Sequence, residues 1–344
     1  MRVVFVHIGE NPTPTLYSAA EVVKLALPDS EIFLISDQER LLESFPGTAI
    51  KLNNEEIQPF LNHFIKKNKE LKDIAGGYWL NTLTRLFALN QVAQLNPSEP
   101  ILHLESDVYL YAHQNELQRF GFSQNLVSYP RLSGSRGVAS ILYSPNSETL
   151  LTFLRKLSAI LFENQSIVND MDLLGFALNA NEAVELPSTP HSHEELGTNR
   201  YIFDGAALGQ YLLGIDPIHT NGSVISGYQN ADYKIDISSF KWSIPQQGKL
   251  IITIQNVDYQ ILNLHAHSKE ILGIPDPTNL RWKQILQEAN GEKPREVLSR
   301  ETINFHLMKP SFQNRIRIGR KVGLFIHLMR YLNRKINSVR GDPK

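Results

Sequence analysis

The chain of 344 residues contains no cysteine. Disulfides, thiolate metal sites and a cysteine nucleophile are therefore excluded, and any metal must be held by oxygen or imidazole ligands. No apolar run reaches the roughly 18 residues that a transmembrane helix needs. The opening apolar run, Val3 to Val6, is too short for a signal segment and reads as a first buried strand. Two phosphate-binding signatures are also missing. GxGxxG does not follow the first strand, and GxxxxGK[ST] occurs nowhere, which disfavours a dinucleotide fold and a P-loop.

One further absence is local. Between Lys309 and Arg340 there are nine Lys or Arg and no Asp or Glu. The net charge is −1 and residues 341–344 cancel, so residues 1–308 carry −1 − 9 = −10. The tail and the body differ in electrostatic character. The tail's apolar residues, Val322, Leu324, Phe325, Leu328, Met329 and Leu332, give it the pattern of a helix lying on an anionic membrane surface or docked on the acidic body. No nucleic-acid module accompanies the charge, and no nucleic-acid partner is expected.

Hydrophobic residues make up 42% of the chain and charged residues 20%, so a sizeable folded core is expected. RVVFVHI (2–8), a helix near Leu16 to Leu27 and EIFLISD (31–37) form a β-loop-α-β opening. Units of this kind build parallel sheets with ligands beyond the carboxyl ends of the strands, which places His7 and Asp37 at one crevice. Further helices are expected over 55–72, 78–95 and 147–162, and from Arg281 onward. Strands are expected at 126–131, 138–144, 249–254 and 259–265. The lysines Lys66, Lys67, Lys69 and Lys72 lack interleaved aromatics and read as a solvated helix face.

The stretch ILHLESDVYLY (101–111) reads as an apolar strand that delivers Glu105 and Asp107 to one face by i, i+2 alternation. Two adjacent acids suit a hard divalent cation, Mg²⁺ or Mn²⁺. Alternatively, they are solvated residues at a strand end. Arg85, on the preceding helix, either reaches a phosphate or pairs with a surface acid. In IVNDMDLLGFAL, Asn169 is a candidate N-cap, with Asp170 and Asp172 in the first turn either as dipole-stabilising acids or as substrate contacts. Small residues surround Asp204 in YIFDGAALG, where the acid caps a helix or lines an acceptor pocket. LHAHSK places His265 and His267 on one face with Lys269 after them, a pattern suited to metal and phosphate. HSHEE (191–195) fits no metal spacing and is read as an exposed loop.

In this order, the ExD strand end, NDMDLL and LHAHSK, the chain resembles a GT-A-fold glycosyltransferase, with Glu105 where the family's DxD motif usually has Asp. NDMDLL is similar to the NDQDLLN-like segment of the glycogenin-like branch, although the HxxGxxKPW ending of that branch is absent. The resemblance implies an α/β fold with a GT-A-like catalytic domain over 1–280. Its central sheet would be mostly parallel and flanked by helices, and a basic helical extension would follow over 281–344. It also implies a metal-dependent enzyme that moves a sugar from a nucleotide-sugar donor, here expected to be a UDP-sugar, to a saccharide or glycolipid acceptor in bacterial surface polysaccharide synthesis. The expected location is cytoplasmic, on the inner face of the plasma membrane through residues 309–340.

Carried over to this chain, Glu105, Asp107 and His265 or His267 would hold Mn²⁺ or Mg²⁺. Lys269 and Arg85 would hold the diphosphate, and His7 and Asp37 would lie near the nucleoside. Asp170 or Asp172 would contact donor sugar or acceptor, and Asp204 would be the base if the reaction inverts. The alternatives are a metal-dependent sugar-phosphate nucleotidyltransferase and a non-catalytic membrane-surface scaffold.

Overall fold

A computed structural model describes residues 1–9, 15–67, 78–120, 122–133, 135–164, 167, 169–188, 200–205, 207–209, 212, 240–266 and 273–291. The expected β-α-β opening is present as β1 (Arg2–His7), α1 (Thr15–Ala26) and β2 (Glu31–Ser36). It is followed by α2 (Glu39–Ser44), β3 (Thr48–Lys51), α3 (Asn54–Lys67) and α4 (Tyr78–Ala93). Then come β4 (Ile101–Leu104), β5 (Val108–Leu110), α5 (Gln114–Phe120), β6 (Val127–Ser133), β7 (Arg136–Gly137), β8 (Ile141–Ser144), α6 (Ser147–Glu163) and α7 (Asp170–Asn179). The described chain ends with β9 (Ala183–Leu186), β10 (Tyr201–Phe203), β11 (Lys241–Gln246), β12 (Lys249–Ile254), β13 (Val257–His265) and α8 (Leu280–Ala289).

Eight strands form the main sheet in the order β3-β2-β1-β4-β8-β6-β7, with β9 paired to β6. The pairs β3–β2, β2–β1, β1–β4 and β6–β9 are parallel, and those involving β7 and β8 are antiparallel. The mixed α/β architecture with a mostly parallel central sheet is therefore as expected. Every residue of β1 is buried, because helices or a second sheet cover both faces. Val3 and Phe5 point into a core shared with α1 and the second sheet, while Val4 and Val6 point into a core made with α3, α4, α6 and α7. Period-2 alternation thus feeds two cores from one strand.

The second sheet runs β10-β13-β12-β11, with β5 paired to β13. The expected pairing of 249–254 with 259–265 is its β12–β13 hairpin, turned through Gln255 and Asn256, both at positive φ. Helix α8, which the expected boundary at residue 280 assigns to the extension, packs on the body. Its Trp282 and Ile285 are buried, and Trp282 meets Tyr111 edge to face with ring centroids 6.2 Å apart. Among the described residues no helix is long and apolar enough to cross a membrane.

Arg2 fastens the start of β1. It is 1% exposed and donates to the carbonyls of Val92, Asn96 and Glu99, at the end of α4 and in the loop leading to β4. A helix C-terminus leaves carbonyls short of donors, and this buried guanidinium adds one at Val92 and ties the loop beyond it to β1.

Candidate metal centre

The stretch 101–111 is not one strand. β4 stops at Leu104, the Glu105 N–H donates to the Ser140 carbonyl (3.1 Å), and the Val108 N–H returns to the Glu105 carbonyl (3.0 Å). The chain turns there and leaves the main sheet. β5 then joins the second sheet, with Val108 opposite His265 and Leu110 opposite Asn263. Strand alternation therefore does not bring Glu105 and Asp107 together. A turn does so, at the point where one sheet hands the chain to the other. Apolar residues on both sides of the turn gave 101–111 the pattern of one strand, because β4 and β5 are both buried.

β13 brings His265 to the same turn. The Ala266 N–H donates to the Asp107 carbonyl (2.9 Å), continuing the β5–β13 ladder past its last pair. The imidazole Nδ1 lies 2.5 Å from the Gly205 carbonyl, which makes Nδ1 the donor and turns Nε2 toward the acids. Nε2 is 3.4 Å from Asp107 Oδ1 and 3.7 Å from Glu105 Oε2. One ligand atom from each of the three residues lies within 4.8 Å of the other two. At that separation two carboxylates repel by about 3.5 kcal/mol at an effective dielectric of about 20, so a cation or proton belongs among them.

The donor set fits a divalent ion. Two carboxylates and one imidazole suit Mn²⁺, and the carboxylates alone suit Mg²⁺. The hydrogen bond from Nδ1 to a backbone carbonyl is the support that orients a ligating histidine. Without an ion, His265 takes the cation's place. Burial lowers its pKa, but the Asp107 charge and hydrogen bond, with Glu105 and the Gly205 carbonyl, outweigh this and raise it to about 10.

Arg85 on α4 backs the site. Its Nη2 is 2.8 Å from Glu105 Oε1 and 3.9 Å from Asp170 Oδ2. The acid it pairs with is thus one of the site's own rather than an outlying surface acid. Asp170, at the first position of α7, is 5% exposed and accepts from the Thr82 hydroxyl. Burial raises its pKa, and the Glu105 charge adds to this against the pull of Arg85 and Thr82. Three carboxylates and one guanidinium leave a formal surplus of 1 − 3 = −2 once His265 gives up its proton, which a divalent ion offsets. Asp172 is held elsewhere, 2.9 Å from Arg136 Nε on β7. The capping expectation holds, because the Asn169 side chain accepts the Asp172 N–H at 2.8 Å.

His7 and Asp37 lie on the same edge of the main sheet. His7 ends β1 and is buried, while Asp37 follows β2, is exposed, and accepts the Gly9 N–H at 3.1 Å. The β1–β4 register pairs Phe5 with Leu104, so His7 and Glu105 emerge from neighbouring strands at their carboxyl ends.

Asp204 departs from the expected role of base. Its side chain is 0% exposed. Oδ1 accepts the N–H groups of Ala207 (3.0 Å) and Leu208 (2.9 Å), and Oδ2 those of Gly209 (2.8 Å) and His265 (3.0 Å). Burial raises its pKa, against the pull of the Leu208, His265 and Gly209 N–H groups and of the His265 charge. With both oxygens so engaged, it presents none to an acceptor hydroxyl. These bonds cap the turn that follows, where the other reading of this acid expected a helix. His267, Lys269 and the HSHEE segment lie outside the described residues, as do residues 309–340.

Thr82, Ser140, Gly205, Gly209 and Asn263 were not singled out in the sequence, yet each touches the site or its support. For the two glycines a signal existed, the small-residue run around Asp204. For the others none did.

No family model and no curated protein matches the chain. Among solved structures it is similar to the galactosyltransferase LgtC, determined with donor and acceptor sugar analogues, at 13% identity over 88% of this chain and 98% of that one, with a TM-score of 0.42. It is also similar to the glycosyltransferase GlyE of Streptococcus pneumoniae TIGR4, at 14% identity over 87% of this chain, with a TM-score of 0.41; that alignment spans 65% of GlyE. Mouse xyloside xylosyltransferase 1 aligns at 10% identity over 54% of this chain and 84% of its own, with a TM-score of 0.38.

Proposed function

We propose that the chain is a metal-dependent glycosyltransferase that moves a sugar from a nucleotide-sugar donor to a saccharide or glycolipid acceptor. A UDP-sugar is the first donor to test. The observation that carries this reading is the meeting of Glu105, Asp107 and His265 at the carboxyl edge of a mostly parallel sheet. Two of these residues come from a motif after β4 and the third from the end of β13, the order in which the sequence resemblance arranges metal ligands.

Glu105, Asp107 and His265 would hold Mn²⁺ or Mg²⁺. When bound, such an ion supplies Lewis-acid stabilisation of the charge that develops on a departing nucleoside diphosphate. Arg85 fixes Glu105 from behind and sets the charge balance of the site. Asp170, held between Thr82 and Arg85, is assigned to hydroxyls of the donor sugar. His7 and Asp37, on the neighbouring strand ends, are assigned to the nucleoside side, and Lys269 to the diphosphate. Asp172, paired with Arg136, is assigned to holding the β6–β7 hairpin against α7. The basic segment 309–340 is assigned to an anionic membrane surface at the cytoplasmic face, where acceptors of surface-polysaccharide synthesis would be presented. Vesicle co-sedimentation tests this last assignment. Replacing Arg315, Arg317, Arg320 and Lys321 by Gln should release the protein, and unchanged retention on anionic vesicles would sink it.

The same carboxylates would also serve a nucleotidyltransferase, and product analysis separates the two. The protein is incubated with Mn²⁺ and a panel of nucleotide sugars, and separately with nucleoside triphosphates and sugar phosphates. Release of nucleoside diphosphate in the first arm, lost in Asp107→Asn, supports the transferase. Release of pyrophosphate in the second arm would support the alternative. Silence in both arms, with no nucleotide binding, would favour a scaffold.

A further inference from the structure

We propose that Asp204 is a positioning residue for the metal centre, acting through His265; this rests on the metal reading above. The buried residue lies one layer behind the ligands and, through its carboxylate and its carbonyl, joins three segments that the chain brings from far apart. Its four N–H donors are Ala207, Leu208 and Gly209 of its own turn and His265, 61 residues later. The carbonyl of the same residue accepts from Ser140 Oγ (3.1 Å) and from Asn263 Nδ2 (2.9 Å). Asp204 therefore fixes the backbone of residue 265, and the next residue in the chain, Gly205, offers the carbonyl that takes Nδ1–H. Backbone and ring of His265 are both referred to one turn.

That turn packs closely against β13. A Cβ at Gly209 would stand 1.8 Å from the His265 carbonyl oxygen and 3.1 Å from Asp204 Oδ2. Contact this tight is open only to glycine. Beside it, the β10–β13 pairing slips by one residue, from Ile202–Ile261 to Phe203–Asn263. Such a bulge re-aims the residues that follow it. Leu262, the residue left over in that slip, accepts the N–H groups of Tyr111 and Ala112, at 2.8 and 2.9 Å, which ties the bulge to the chain leaving β5. Bulge, turn and carboxylate together set where Nε2 points.

The chemistry also explains why the residue is Asp. Four N–H donors need four acceptor sites on two oxygens, which a carboxylate supplies. Asn would place its NH₂ against one of the two donor pairs, Ala207 with Leu208 or Gly209 with His265. The turn would open and His265 would lose its fixed aim.

The test is the binding of Mn²⁺ alone, followed by electron paramagnetic resonance of the free ion. It uses wild type, Asp204→Asn, His265→Gln and the double variant, with far-UV circular dichroism as a check of fold. Loss of an outer support of a metal ligand typically weakens binding by about 10- to 100-fold, and that weakening is expected for Asp204→Asn. In the His265→Gln background the same substitution should change affinity by less than about twofold, since the route from Asp204 to the ion has been removed. Equal losses in both backgrounds, or no loss in the single variant, would overturn the proposal. A wild type that binds no Mn²⁺ would instead overturn the metal reading beneath it. Should Asp204→Asn not fold, Ser140→Ala replaces it. This change removes only the hydroxyl donor to the Asp204 carbonyl, and it should cost about 2- to 10-fold in affinity, again only where His265 is present. Unchanged affinity in that variant would count against the proposal in the same way.

Discussion

Adding Mn²⁺ to the metal-free protein should raise its Tm, and the size of the rise should depend on pH in a direction that His265 fixes. A ligand at one hundred times its Kd stabilises the native state by about 2.7 kcal/mol. Unfolding entropy of about 2.1 cal/mol/K per residue gives a chain of this length about 0.7 kcal/mol/K, so the expected shift is about 4 °C. His265 holds a proton up to about pH 10 in the metal-free state, above the ordinary histidine value of 6.5. An ion that binds Nε2 must displace that proton. At pH 7 the displacement costs about 4 kcal/mol, three pH units at about 1.4 kcal/mol each, and this cost falls by about 1.4 kcal/mol for each unit of rising pH. At a fixed Mn²⁺ concentration the thermal shift should therefore grow by about 2 °C per unit between pH 6.5 and 8.5.

The metal-free protein should move the opposite way. Because the folded-state pKa is raised, the stabilisation contributed by charged His265 is fully present below pH 6.5 and is lost as pH rises through about 10. Differential scanning fluorimetry in matched buffers, with EDTA or Mn²⁺, reads both trends. A Mn²⁺ shift that is flat in pH, or that survives with the same slope in His265→Gln, would refute the assignment of His265 as a ligand.

Other substitutions probe the frame around the site. Arg2→Met should cost about 1–3 kcal/mol in denaturant unfolding, since it removes the buried guanidinium's bonds to the carbonyls of Val92, Asn96 and Glu99, of which the first two keep Leu95 N–H and Ser147 Oγ as donors; a loss under about 0.5 kcal/mol would show that Arg2 does not fasten this end of the sheet. Gly175→Ala should destabilise by about 1–3 kcal/mol, because its Cβ would lie 2.0 Å from the Ser135 carbonyl oxygen where the β6–β7 hairpin crosses α7. Limited proteolysis within that hairpin should quicken in step, and an unchanged cleavage pattern would argue against the clash. Arg85→Gln should weaken Mn²⁺ binding by about 10- to 100-fold and lower turnover with it, as Glu105 loses the partner 2.8 Å away that orients it. Turnover at the wild-type rate would remove Arg85 from the catalytic arrangement.

Much of the frame was legible in the sequence because it rests on local rules. The apolar run in RVVFVHI, the helical period through Leu83, Leu86, Asn90 and Ala93, and the Asn169 cap each depend on residues within a turn or two of one another. The absence of cysteine confined any metal to carboxylate and imidazole ligands, and the acids of ExD and the histidine at a strand end were visible as candidates. What joins them was not. Tertiary structure broke 101–111 at Glu105, sent β5 into a second sheet and set His265 against Asp107, 265 − 107 = 158 residues away. It also placed Arg85 against Glu105 and moved Asp204 from candidate base to buried support. Periodicity says which face of a segment is apolar. It carries no information on which distant segment will cover that face, or on which backbone amides will converge on a carboxylate, because those are settled by packing across the whole chain.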